Sequence, residues 1–333
     1  MKKLLILPIL AVLAAGCSLC RNDKVNLIFE TDMGNDVDDA IGLGIIHRYI
    51  NDGEVNLMAV CLNKGGLAPL QYVDAVNTWY GHPGIPIGRI EDAPQPDDDN
   101  CYARVANMTG ADGKPVFRKS VKDYSALPEA VALYRELLAK AKDNSVTIAS
   151  VGFSTNLARL LDSAPDSYSD LDGKALVARK VKLLVCMACC FNGSCKNGEY
   201  NVKIDSLSAR KLFAEWPGEI VISPSELGTK VRYPATSIEN DFGWADAHPV
   251  VEAYKAYRKM PYDRPCWDPT AIIYAVEGGK WFGISETGSV RIEEGNESVF
   301  TPSAEGNARY LSVDDQQSVA LVDYMVEMLS TTK

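Results

Sequence analysis

Positive charge is scarce in this chain: 34 Lys and Arg stand against 44 Asp and Glu, a net charge of −10. Phosphate contacts need clustered Lys and Arg, so this balance argues against nucleic acid as a partner. Histidine is scarcer still, with only His47, His82 and His248. His82 and His248 each precede a proline, and both read as structural. Beyond the N-terminal leader no apolar run is long enough to span a membrane. No internal repeat or clear linker divides the sequence, so one mature domain is expected over residues 25–333. The nine cysteines lack the two separated Cys-x-x-Cys pairs of a zinc knuckle. Cys186, Cys189, Cys190 and Cys195 read instead as buried thiols closing a core strand. A disulfide is the alternative if the compartment is oxidising. The rest is ordinary globular composition, 47% apolar and 23% charged.

The first sixteen residues stand apart. Lys2 and Lys3 precede an apolar run, Leu4 to Leu13, which ends in Ala-Ala-Gly-Cys17. A short apolar run closed by small residues is a secretory signal rather than a membrane span. Its Leu-Ala-Ala-Gly-Cys ending resembles a bacterial lipobox, which implies a lipoprotein signal peptide over residues 1–16, cleavage before Cys17 and lipid on that cysteine. Residues 17–24 then form a tether that holds the protein to the membrane.

The chain is organised around Val25 to Gly42. An apolar, β-rich run, Val25 to Phe29, reads as a buried parallel strand. Glu30, Asp32, Asp36, Asp38 and Asp39 follow, five carboxylates within ten residues. Apolar positions then resume at helical spacing from Ala40. Such crowded negative charges repel unless a cation joins them, and hard oxygen ligands suit calcium or magnesium rather than zinc. An EF-hand register fails, because counting from Glu30 puts Asn35 at the glycine position and Ile41 at the glutamate position. Helix capping accounts for Asp36 or Asp38 but not for the whole set.

Strand and helix patterns alternate along the rest. Strands are expected at Val55–Leu62, 85–88, 145–151, Val181–Met187 and 219–222, with helices at 69–80, 127–141, 157–161 and 206–216. The segments 89–124 and 224–247 read as long surface connections. A helix opens near Asp268, short strands with glycine turns cover 281–313, and a helix from Asp315 closes the chain. The βαβ alternation predicts an α/β fold with a parallel sheet. Asp32, Asp38, Asp39, Asn63, Val151, Glu199, Asn201 and Asp268 each follow a strand or open a helix. They would gather on one sheet edge, where open α/β folds bind small molecules.

The acidic turn ending in Asp38-Asp39-Ala40 resembles the N-terminal signature of the inosine–uridine nucleoside hydrolase family. The resemblance extends over most of the mature chain and implies an open, mostly parallel central sheet with helices on both faces. It also implies a Ca2+ ion that grips the ribose hydroxyls and the attacking water of a ribonucleoside. By that resemblance Asp32, Asp39, the Val151 carbonyl and Asp268 hold the metal, and Asp32 is also the general base. Asp38, Asn63, Glu199 and Asn201 contact the sugar. Glu30 stands where the family commonly has Asp, Met33 where Pro is usual, and a short insertion before Asp38 leaves the role of Asp36 open. Trp267 stands where the inosine–uridine branch has a leaving-group histidine. The purine-specific branch has a tryptophan there, stacked on the base, which implies purine preference. Core packing is the other reading of Trp267. The implied protein is a nucleoside N-ribohydrolase of the bacterial cell envelope, on its periplasmic or outer-membrane surface. A hydrolase of another pentoside, and a lipid-anchored nucleoside- or sugar-binding protein, are the alternatives. A homo-oligomer is compatible with all three.

Overall fold

The computed structural model describes residues 24–94 and 101–332. The leader, Cys17 and Cys20, and part of the acidic 91–100 stretch lie outside those residues. Strands β1 (Val25–Thr31), β2 (Val55–Leu62), β3 (Ile87–Gly88), β4 (Val146–Ser150), β5 (Val181–Met187) and β6 (Ile220–Ser223) come first in the chain. A short ribbon of β7 (Arg232–Tyr233) and β8 (Arg264–Pro265) is followed by β9 (Gly283–Ile284), β10 (Gly288–Ile292), β11 (Ser298–Pro302) and β12 (Ala308–Ser312). The main sheet runs β11-β10-β12-β6-β5-β4-β1-β2-β3, with β9 beside β12. The run from β12 to β3 is parallel, and antiparallel pairing is confined to β9, β10 and β11.

The central strands β1, β2, β4, β5 and β6 are mostly apolar because both faces are covered. Leu27 and Phe29 of β1 enter one core and Ile28 the other, the two-residue alternation of a pleated strand. Val185 and Met187 divide from Leu184 and Cys186 in the same way. Helices Asp38–Asp52, Leu67–Trp79, Pro249–Tyr257, Trp267–Glu277 and Asp315–Ser330 pack on the first face. Helices Ala130–Lys140, Thr155–Asp162, Gly173–Lys180 and Ser206–Glu215 pack on the second. The expected open α/β sheet with two helical layers is therefore present.

Two surface connections turn out to be structured. The 89–124 segment contains the helix Cys101–Ala106, which buries Tyr102 and Val105, and Phe117 is buried too. Its far end is held by Asp74, whose carboxylate accepts from the backbone N–H of Ser120 and of Val121 and from the Tyr124 hydroxyl. The 224–247 segment carries helices Ser225–Lys230 and Ala235–Asn240, each opened by a proline, and buries Val231, Tyr233 and Ile238. Six-residue helices are too short to show a period in sequence.

The parallel strands β1 to β6 have one reversal of order. From β1 the chain moves outward to β2 and β3, then crosses back to place β4 on the other side of β1. The carboxyl ends of β1 and β4 thus flank a crevice, the place where open α/β sheets take ligands.

Candidate active site

A cavity of about 260 Å³ opens at that crevice, lined by residues that include Asp32, Asp36, Asp39, Val151 and Asp268. Asp32 follows β1 and Val151 follows β4, and the two strand ends are tied by the Val151 N–H donating to the Glu30 carbonyl (2.8 Å). The approach is close enough to require glycine next. A Cβ on Gly152 would lie 2.5 Å from both the Asp32 nitrogen and Asn63 Oδ1.

The carboxylates are buried and crowded. Burial and the Asp36 charge push Asp32 up to about 8. Burial and neighbouring carboxylates also hold Asp36, Asp39 and Asp268 well above the usual carboxylate range. Such a group is stable as anions only with positive charge among them. Carboxylate oxygens of Asp36, Asp38 and Asp268 approach within 4.8 Å of one another, so a divalent cation fits the donor chemistry. This triad shares only Asp268 with the metal set expected from sequence. Asp32 and Asp39 also line the cavity, but Asp32 accepts from the Asn35 side chain and Asp39 from the Thr31 hydroxyl.

Asp38 does not line the cavity; it stands behind the wall. Its Oδ1 accepts from Arg264 (2.8 Å), and its Oδ2 accepts the backbone N–H groups of Trp267 (2.8 Å) and Asp268 (3.2 Å). It therefore caps the helix Trp267–Glu277 and neutralises a buried cation, which departs from the sugar contact expected for it. Burial works to raise Asp38, but Arg264 and these donors hold it below its ordinary value.

Asn63 is fully buried beneath the site and accepts the Phe153 N–H (3.1 Å), so it too supports the wall without forming it. Glu199 and Asn201 do line the cavity. Glu199 caps its own short helix through the Asn201 and Val202 N–H groups (2.9 and 3.1 Å). Burial nevertheless pushes it up to about 7. The Asn201 amide donates to the carbonyls of Val151 (3.1 Å) and Met187 (3.2 Å), tying the ends of β4 and β5 together.

Trp267 reaches the cavity with its ring already engaged. The Arg264 guanidinium lies 4.9 Å from its ring centroid, and its Nε1 donates to the Ser225 carbonyl (2.9 Å). Gly228 packs against it so closely that a Cβ there would come within 2.4 Å of Cδ1. The guanidinium therefore occupies one face of a ring that also lines the cavity.

Arg264 is what sequence reasoning missed. It is 4% exposed, bridges Asp36 (2.5 Å) and Asp38 (2.8 Å), and lines the cavity. The available signal was indirect: five clustered carboxylates need a buried cation, and nothing local marks Arg264 as that cation. Asn35, Met187, Tyr200 and Ser225 complete the missed lining. None of the three histidines reaches the cavity, and the described cysteines are free thiols, all buried except the partly exposed Cys195.

The model of the inosine–uridine preferring nucleoside hydrolase family matches residues 27–322. A search of curated proteins finds no match. Solved structures share the fold. An inosine–uridine preferring nucleoside hydrolase from Bacillus anthracis superposes with a TM-score of 0.67 at 16% identity, covering 91% of this chain and 99% of its own. An inosine–guanosine nucleoside hydrolase gives 0.67 at 15%, covering 92% and 99%. A purine-preferring ribonucleoside hydrolase from Gardnerella vaginalis gives 0.66 at 13%, again covering 92% and 99%.

Proposed function

The chain belongs to the inosine–uridine preferring nucleoside hydrolase family and is a nucleoside N-ribohydrolase, and on that premise we propose a calcium-dependent enzyme that prefers purine ribonucleosides. The observation that carries this reading is the set of crowded carboxylates, Asp32, Asp39 and Asp268 buried and Asp36 partly exposed, beside the Val151 carbonyl at the crevice between β1 and β4. Asp32, Asp39, Val151 and Asp268 are the proposed Ca2+ ligands. Calcium, when bound, supplies orientation for two vicinal sugar hydroxyls and the attacking water.

The chain's own residues supply the rest. Asp32 takes the proton of the attacking water, and the Asn35 amide, itself held by Lys64 (2.7 Å), fixes its orientation. The glycosidic carbon develops positive charge as the bond breaks, and the surrounding carboxylates stabilise it. Glu199 and Asn201 face the sugar's outer hydroxyls. Asp38 acts on the site through Arg264 and the Trp267 helix.

The test is a panel of ribonucleosides incubated with the calcium-loaded protein, with free ribose as the readout. Inosine and guanosine are expected to be cleaved faster than uridine. Tight nucleoside binding without ribose release would favour the binding-protein reading instead. We also propose attachment to the cell envelope through lipid on Cys17, supported by the Leu-Ala-Ala-Gly-Cys ending. Stable anchoring needs more than one acyl chain. Labelled palmitate should enter the protein, and its failure to do so would exclude the anchor.

A further inference from the structure

The part of the cavity wall not assigned to metal or sugar consists chiefly of Tyr200, Ser225, Arg264 and Trp267. On the hydrolase reading, these are side chains left to meet a departing base. Of the four, only Arg264 carries a charge. Its environment fixes it in place: Tyr257 and Trp267 lie on it at 5.1 and 4.9 Å, and Asp36 and Asp38 hold its Nη2. A guanidinium has five N–H donors. Nε and Nη2 are spent on the two aspartates, and Nη1 has only the Tyr257 hydroxyl at 3.4 Å. Its second hydrogen meets no acceptor among the described residues.

We propose that Arg264, rather than Trp267, reads the leaving base, donating a hydrogen bond from Nη1 to an acceptor edge and so selecting 6-oxopurine nucleosides over adenosine. The inference rests on the hydrolase reading for its reaction and on geometry for its residue. The 6-oxygen of a 6-oxopurine is an acceptor that the remaining Nη1 donor matches, whereas adenine presents an amino donor at the same place. Trp267 is the poorer candidate, because its ring already carries the guanidinium and its N–H is already bonded.

The balance of the step follows. The C–N bond breaks and its electron pair stays on the base, while the water oxygen bonds to the sugar carbon and its proton passes to Asp32. Arg264 keeps its own proton. Burial works against the guanidinium charge, but Asp38 and Asp36 outweigh it and raise its pKa above the ordinary value. It therefore stabilises the departing anion as a donor and not as an acid, and the base collects a proton from solvent. A donor aimed at charge that grows during the reaction contributes most in the transition state.

The experiment uses the calcium-loaded protein and three free bases, hypoxanthine, adenine and unsubstituted purine, titrated by calorimetry into wild type, Arg264→Lys and Tyr257→Phe. Hypoxanthine should bind wild type roughly tenfold or more tightly than the other two, a gap within reach of a directed arginine donor. Arg264→Lys should close the gap. Tyr257→Phe removes the competing acceptor and should keep or widen it. In turnover, Arg264→Lys should lower kcat/KM for inosine by a larger factor than for adenosine or for a nitrophenyl riboside, and so collapse the inosine-to-adenosine ratio. Equal affinities in wild type, a gap narrowed by Tyr257→Phe, or one common factor of loss on all substrates would overturn the inference. If Arg264→Lys does not fold, wild type and Tyr257→Phe decide alone. Base selection without hydrolysis of any substrate would sustain Arg264 and defeat the hydrolase reading.

Discussion

At the scale of single residues, Glu30 carries a pH dependence outside the reaction itself. It is fully buried in β1, accepting from the Tyr134 hydroxyl (2.7 Å) and the Asn156 amide (2.6 Å). Burial raises it to about 8 from an ordinary 4.5, although both hydrogen bonds work the other way. A raised folded-state pKa means stability that is full below about pH 4.5 and lost as pH rises toward 8. The loss is on the order of 5 kcal/mol at most. Glu30→Gln keeps the shape without the titration, so its denaturation profile should decline less steeply between those limits than wild type. Parallel profiles would show that Glu30 is not the titrating group. Residues of this kind also show what a sequence displays. Asp32, Asp39, Val151, Glu199, Asn201 and Asp268 were legible because each adjoins a strand end or opens a helix, and the structure brings all six to one cavity. Arg264 was not legible, since its role is set by Asp36 and Asp38 more than two hundred positions away. The same distance hid the work of Asp38, whose carboxylate accepts from Arg264, Trp267 and Asp268.

Elements were legible in proportion to length and burial. Strands β2 and β5 fall at the bounds expected from their apolar runs, Val55–Leu62 and Val181–Met187, because both faces are buried and the signal is continuous. The helix Gly173–Lys180 was missed, as only Leu176 and Val177 and its first glycine are buried and no stripe forms. The helix Cys101–Ala106 and the segment after it depend on remote anchors that a local pattern cannot show. Tyr102 donates to the Asp36 carbonyl (2.5 Å), which links this segment to the acidic turn. Asp74 holds the other end through two backbone and two hydroxyl donors. Asp74→Asn removes the charge behind those bonds and should cost about 1–3 kcal/mol. It should also expose the 107–123 stretch to protease, read as new cleavage products there under native conditions. Unchanged proteolysis would mean that packing of Tyr102 and Phe117 holds the segment without Asp74.

For the whole molecule, an acidic protein with a two-faced core gathers most of its buried carboxylates at the crevice between β1 and β4. That arrangement is costly without a cation, and a ligand that binds only the folded state adds stability by mass action. Calcium removal should therefore lower both the melting temperature and the rate, with both restored on adding the ion back. The most direct measurement is ribose release from inosine by wild type and by Asp32→Asn, each with calcium, after chelation and after calcium is returned. Steady release by loaded wild type, lost on chelation, regained with calcium and reduced by orders of magnitude in Asp32→Asn even at calcium concentrations that saturate the variant, is the predicted result. Undiminished release by the chelated protein or by Asp32→Asn would contradict a metal-centred hydrolase with Asp32 as its base.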